Sequence, residues 1–229
     1  MENIDVSILT VNYNTPFFLI GLLESIEKFY PNLKVYIVDG SDKKEEIKKA
    51  KRIVKGKKNV VLYSLGKNIH HGPGLHYGIK KIKNKYILLI DSDSLILKDG
   101  LIENLYSNLK DGYGTGIIEY IDDKGKNVAK GQGIPYLHPR CALIAKAKYL
   151  QYKPAIKHGA PFIETMTDIF AHGDAGTLIE YDDIDTYYHH IGSGTVTHTG
   201  GYNFKPKKSY LHNKVLYFIK RVKMLLGKN

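Results

Sequence analysis

Cysteine is nearly missing from this chain: a single residue, Cys141, in 229. No disulfide can form within it, which fits a reducing compartment. Long apolar runs are missing too, since stretches such as residues 86–90 fall far short of the roughly 18 residues a membrane-crossing helix requires. The opening MENIDVSILTVNYN has no basic segment leading into an apolar stretch, so it does not read as a secretion signal. There is no internal repeat, no low-complexity tract and no aromatic–basic pattern of the kinds that mark nucleic-acid-binding modules. These absences point to a cytoplasmic protein, soluble or peripheral, with no nucleic-acid partner.

What the chain has in excess is positive charge, a formal +11 from 34 Lys and Arg against 23 Asp and Glu. Such a field attracts anions, among them nucleotides, phosphates and acidic lipid headgroups. The lysine-rich run 43–58 reads as a solvated helix face or, less simply, as a binding patch. A composition 43% hydrophobic and 25% charged is that of an ordinary globular domain with a sizeable core.

Along the first hundred residues strands and helices alternate. Residues 6–11, 35–38, 60–65 and 86–90 are short, apolar and rich in β-branched side chains. Between them lie helical patterns at 17–30, 43–54 and 75–82, and a glycine-rich loop at 66–74. The alternation predicts an α/β fold with a mostly parallel central sheet covered by helices on both faces. Beyond residue 100 the pattern loosens. A helix is expected over 100–109, strands over 116–121, 140–145 and 177–181, a turn at 122–125, a helix over 164–171 and a loop over 192–203. The expected organisation is one domain over 1–212, with a nucleotide-binding half (1–97) and an acceptor-side half (98–212). A basic amphipathic helix follows over 213–229. That tail suits an anionic membrane surface, and equally a dock on the domain or a dimer contact.

The sharpest chemical signal is Asp91-Ser92-Asp93 at the end of the strand YILLI. In an extended segment residues i and i+2 point the same way. Two carboxylates then converge at the carboxyl edge of a parallel sheet, where open α/β folds bind ligands. Converging carboxylates repel unless a cation lies between them, and hard oxygen donors favour Mg²⁺ or Mn²⁺. The bland alternative is a polar turn with Asp93 as a local cap.

Four segments, VSILTVNYN, VYIVDGSD, NIHHGPGLHYGI and KYILLIDSDS, occur in this order over residues 4–97. Together they resemble the family 2-like GT-A glycosyltransferases. The resemblance implies a GT-A, Rossmann-like fold and metal-dependent, inverting transfer of a sugar from a UDP-, GDP- or dTDP-linked donor to an acceptor hydroxyl on a glycan or lipid-linked molecule. By the same resemblance Tyr13 packs on the nucleobase and Asp39 accepts from the base. Val11, Asn68 and His76 complete the nucleotide-binding set, Asp91 reaches the ribose or the metal's water shell, and Asp93 ligates Mn²⁺ or Mg²⁺ directly. The third segment departs from the family pattern: His70 stands where glycine is expected and His76 where asparagine is expected, while His70 and His71 also read as plain loop residues.

In the second half PFIETMTDIFAHG resembles the helix that carries the catalytic base in that family. Asp168 fits best and Glu164 is the second candidate, the two sharing a helical face. YYHHIGSGT resembles the His-x-Gly segment of rhamnosyltransferase-like members. His190, with His198 as alternative, is then the third metal ligand or a donor to the leaving diphosphate. A nucleotidyltransferase would carry a Gly-rich, basic phosphate loop after the first strand, where this chain has NYNTPFF. A non-catalytic nucleotide-sugar-binding protein on the same fold is the other alternative.

Overall fold

The computed structural model describes residues 4–157 and 159–192. Their order is β1 (Val6–Asn12), α1 (Pro16–Phe29), β2 (Val35–Asp39), α2 (Lys44–Val54), β3 (Val60–Ser64), α3 (His71–Lys81) and β4 (Tyr86–Ile90). There follow β5 (Ser94–Ile96), α4 (Leu101–Leu109), β6 (Gly114–Ile121), β7 (Ile134–Ala145), α5 (Lys146–Tyr149) and α6 (Ile163–Ala171). A 3-10 turn (Ala175–Thr177), β8 (Leu178–Glu180), α7 (Ile184–Tyr187) and β9 (Tyr188–His190) complete it.

Seven strands form one sheet in the order β3-β2-β1-β4-β7-β6-β8. The first four are parallel, β7 runs antiparallel to both neighbours, and β8 is parallel to β6. The strands are apolar on both faces because helices cover both. Ile8, Ile37, Leu88 and Ile90 pack with Leu19, Leu22, Ile102 and Leu105 of α1 and α4. Their alternating neighbours Leu9, Val38, Ile87 and Leu89 pack with Leu75, Ile79, Met166 and Ile169 of α3 and α6. This two-sided burial explains the continuous apolar runs of β1, β2 and β4. Among the described residues no helix is long and apolar enough to cross a membrane. The expected loop over 192–203 (apart from Gly192 itself), His198 and the tail helix 213–229 lie outside them.

Helix α3 starts at His71, four positions before the helix read from the sequence. Pro73 sits in its first turn, where no intrahelical amide is required. His70 precedes it with φ +66°, a left-handed conformation that favours glycine. The position therefore keeps the backbone of a glycine turn while carrying a histidine. At Gly72 the helix touches the segment before α6: the Gly72 amide donates to the Lys157 carbonyl at 3.0 Å. A Cβ on Gly72 would lie 2.4 Å from that oxygen. Because the neighbour is backbone, Gly72→Ala is expected to cost about 1–3 kcal/mol as overpacking. The check is a urea titration, in which an unchanged midpoint would show that the segment moves aside freely.

The 12 residues of β7 double the length read from the sequence. Its last residues pair with β4, ending at Ile90↔Cys141, while Ile134–Leu137 pair only with β6. The β6–β7 hairpin thus overhangs the carboxyl end of β4. Strands β5 and β9 form a separate two-stranded antiparallel sheet. Their register sets Ser94 opposite His190, beside the acidic turn.

Candidate active site

The parallel strands β1, β2 and β4 end together at Asn12, Asp39 and Ile90, and the Asp91–Asp93 turn continues from β4. β9 is laced onto this turn. The Ile191 amide donates to the Asp93 carbonyl at 3.0 Å, and the Tyr188 hydroxyl donates to the Arg140 carbonyl at 2.9 Å while accepting from Ser94 Oγ at 3.2 Å. The Tyr188 and His190 rings stack with centroids 6.4 Å apart. These contacts fix His190 Nε2 at 3.2 Å from Asp93 Oδ1 and 3.5 Å from Asp91 Oδ2. One donor atom from each of Asp91, Asp93 and His190 lies within 4.8 Å of the others. His71 Nε2, at the head of α3, approaches Asp91 Oδ1 from another side at 3.6 Å.

Burial and mutual repulsion act on the two acids of this cluster, and basic neighbours oppose both. Burial raises the Asp91 pKa; the His71 charge opposes that rise and Asp93 adds to it. Burial disfavours the imidazolium of His190, but its hydrogen bond to Asp93 and the two carboxylate charges outweigh that and raise its pKa. His190 Nε2 thus lies between the two acids. Two carboxylates and one imidazole, with donor atoms this close, also suit a divalent ion with hard-ligand preference.

On the β1–β2 side, Asp39 is fully buried. Its Oδ1 accepts from Asn12 Nδ2 (2.8 Å), Ser41 Oγ (2.5 Å) and the Ser41 amide (3.2 Å). Its Oδ2 has no hydrogen-bond partner. The Tyr13 hydroxyl donates to Asp42 Oδ2 at 3.0 Å, and Asn14 Nδ2 donates to Asp42 Oδ1 at 2.8 Å. Burial and Asp42 raise the Tyr13 pKa, while hydrogen bonds with Asn68 and Asn14 oppose the rise. Val11 closes the end of β1 against Gly74 of α3. The sequence placed Tyr13, Asp39, Val11 and Asn68 in one pocket; Tyr13 and Asn68 are in contact, and Asp42 joins them as a residue the sequence reading missed. His76 is engaged elsewhere. Tyr149 OH lies 2.8 Å from its Nδ1 and accepts from the Ala155 amide at 3.1 Å. Burial lowers the His76 pKa, which agrees with a neutral ring.

The two acids of α6 point to different partners. Asp168 is drawn to the loop after α5: the Lys153 amide donates to its Oδ2 at 3.0 Å, with Lys153 Nζ at 3.8 Å and His172 Nδ1 at 4.0 Å from its Oδ1. Glu164 Oε1 lies 3.2 Å from Lys157 Nζ, on the residue whose carbonyl holds Gly72 beside His71. Three further residues face the acidic cluster. His71 was read as a loop residue, and His138 and Arg140 of β7 were not singled out. The signal for the last two was present: His138-Pro-Arg140 interrupts an otherwise apolar strand with polar groups two apart, hence on one face.

The family model for glycosyl transferase family 2 matches residues 7–168, from the second residue of β1 through the whole acidic turn to Asp168. The chain belongs to glycosyl transferase family 2. Solved structures agree on the fold of this family 2 chain, which is of the GT-A type. S. aureus TarS 1–349 superposes with a TM-score of 0.56 at 16% identity, over 84% of this chain and 62% of that one. GalNAc-T7 with UDP, GalNAc and Mn²⁺ gives 0.60 at 16%, over 79% and 43%. The mannosyltransferase PcManGT from Pyrobaculum calidifontis, in complex with GDP-Man and Mn²⁺, gives 0.56 at 14%, over 96% and 72%. The family 2 chain therefore spans less than two thirds of TarS 1–349 and of GalNAc-T7. No curated protein matches it.

Proposed function

We propose that this chain transfers a sugar from a nucleoside-diphosphate donor to an acceptor hydroxyl. The observation that carries the reading is the Asp91–Asp93–His190 cluster at the carboxyl edge of the sheet, with its donor atoms gathered within 4.8 Å. Family membership supports it, as do the nucleotide sugars and Mn²⁺ named with structures of the same fold.

The roles follow from the chemistry of each group. Asp93, with Asp91 and His190, would hold Mn²⁺ or Mg²⁺, and the ion's contribution is neutralising a diphosphate and stabilising the charge that builds on it as it leaves. The orphaned Oδ2 of Asp39 is an acceptor at the end of β2, and a buried carboxylate oxygen without a partner costs about 1–3 kcal/mol or more. A nucleobase N–H would satisfy it, beside the flat face of Tyr13. An acid on α6 takes the proton from the acceptor hydroxyl, and that oxygen attacks the anomeric carbon from the face opposite the diphosphate, inverting the centre. Sequence resemblance favoured Asp168 for this base. The geometry favours Glu164, because the Asp168 carboxylate is engaged by the Lys153 amide. The acceptor is a glycan or a lipid-linked molecule, and in the latter case the basic tail would meet the cytoplasmic face of a membrane.

The direct test is a thermal-shift titration with UDP, GDP and dTDP, each with and without Mn²⁺. Binding to the native state at 100 times Kd stabilises by about 2.7 kcal/mol. One nucleotide is expected to raise the melting temperature by several degrees only when Mn²⁺ is present. No shift with any of the three removes the donor assignment.

A further inference from the structure

Beyond the acidic cluster a second polar group lies on the same face of the sheet. The Asp91 amide donates to the Arg140 carbonyl at 3.1 Å, continuing the register in which Ile90 faces Cys141. Asp91 and Arg140 are thus opposite one another on β4 and β7, and residues opposite one another in an antiparallel pair share a face. Arg140 Nη2 in turn lies 3.3 Å from Glu119 Oε1 on β6. A polar row therefore runs from the acidic cluster through Arg140 to Glu119 across three adjacent strands, away from β1 and β2.

We infer that Arg140 and Glu119, with His138, form a saccharide subsite that reads neighbouring hydroxyls of a sugar held next to the Asp91–Asp93 cluster. The inference rests on the proposed glycosyl transfer. A hydroxyl both donates and accepts, so two adjacent hydroxyls are matched by a donor set beside an acceptor set. Arg140 has donors only and the Glu119 carboxylate has acceptors only, and together they are electrically neutral. That balance suits an uncharged polyol edge better than a second phosphate. Both side chains stay reachable, at 30% and 25% exposure. Asn127 Nδ2 holds the far oxygen of Glu119 at 3.2 Å, so the carboxylate is oriented as well as paired. His138 adds a neutral donor: its Nδ1 accepts the Arg140 amide at 3.2 Å, which leaves the proton on Nε2. The Tyr136 ring sits edge-on to it at 5.7 Å. An ion pair serving only to tie β6 to β7 gains at most a little from its charges, and nothing in that task calls for a place on the overhanging hairpin at the ligand edge of the sheet.

The sugar read there belongs either to the donor or to the acceptor, and the test separates the two. Glu119→Gln, Glu119→Ala and Arg140→Lys are compared with the wild-type protein, the last because it keeps the charge but not the planar fork. Calorimetry with Mn²⁺ measures the affinity for UDP and GDP and the extra affinity of UDP-glucose, UDP-N-acetylglucosamine and GDP-mannose. Saturation-transfer NMR with Mg²⁺ and nucleotide present measures contact with methyl glycosides of glucose, galactose, mannose and N-acetylglucosamine. Nucleoside diphosphate affinity is expected to stay within about twofold, while one of the two sugar signals drops about tenfold or more, as for a hydrogen bond to a charged group. Loss of the extra donor affinity places the subsite at the transferred sugar. Loss of the glycoside signal places it at the acceptor. Variants that fold, bind nucleotide and leave both sugar signals at the wild-type level overturn the inference. A wild-type protein that binds neither UDP nor GDP with Mn²⁺ refutes the transferase reading itself, and the subsite falls with it.

Discussion

Asp93→Ala is expected to remove Mn²⁺-dependent nucleotide binding and to cut sugar transfer or donor hydrolysis by about 10³-fold or more, since metal stabilisation of developing charge is worth several kcal/mol and each 1.36 kcal/mol is tenfold in rate. Asp93 is 9% exposed, and its carboxylate shares His190 with Asp91. Asp93 itself contributes to the raised pKa of Asp91. Removing Asp93 relieves that repulsion. The fold should therefore survive with a melting temperature close to the wild-type value while the function is lost, a combination that a merely structural acid would not give. His190→Ala should weaken metal binding less, because a neutral nitrogen donor contributes less to holding a hard dication than a carboxylate does. Calorimetric titration of Mn²⁺ with UDP or GDP present measures both effects. An Asp93→Ala protein that binds and turns over like the wild type would end the metal-site assignment.

The same cluster shows what could be read from the chain alone. Asp91 and Asp93 were legible because a parallel strand buried on both faces is a continuous apolar run, and YILLI stops abruptly at an acidic pair. Helices α1 and α4 and strands β1 to β4 were legible for the same reason: local periodicity reports burial when an element is covered by its sequence neighbours. The second half was harder because its elements are defined by distant partners. β5 and β9 have three residues each, and neither has a pattern of its own; their pairing over 94 positions, seen also in the Ser94–Tyr188 hydrogen bond, is what delivers His190 to the acids. β7 was half read because Pro135, His138 and Pro139 break the alternation by which strands are recognised, and pairing with β6 overrides that local signal. The head of α3 was missed because glycine and proline at 72–74 signal a loop, although proline is tolerated in a first helical turn. The cost was functional as well as structural, since His71 owes its place near Asp91 to that turn.

The choice between the two acids of α6 gives the second large effect. Glu164→Gln is expected to slow transfer by about 10²–10⁴-fold, the usual range for loss of a general base, with donor affinity unchanged. Asp168→Asn is expected to slow it by less than about tenfold, the scale of a partly exposed polar contact of roughly 1 kcal/mol. A general base must present a free carboxylate oxygen to the incoming hydroxyl. Asp168 already accepts the Lys153 amide and has Lys153 Nζ and His172 around its other oxygen, at 15% side-chain exposure. Asparagine can accept that same amide through its own oxygen, so the substitution leaves the contact in place. Glu164 lies one turn nearer the start of the helix, at 36% side-chain exposure, and its partner is the exposed ammonium of Lys157. A lysine on a flexible stem can swing away when a substrate arrives, whereas a backbone amide cannot. The Lys157 backbone also holds Gly72, and with it His71, beside Asp91. Glu164 is thereby connected to the acidic cluster by a short run of contacts through Lys157, Gly72 and His71. Single-turnover rates at saturating donor distinguish the two acids, because they isolate the proton-transfer step from binding and release. Should Asp168→Asn prove the crippled enzyme and Glu164→Gln the near-normal one, the base is Asp168, and the Lys153 amide must then be orienting that carboxylate rather than occupying it.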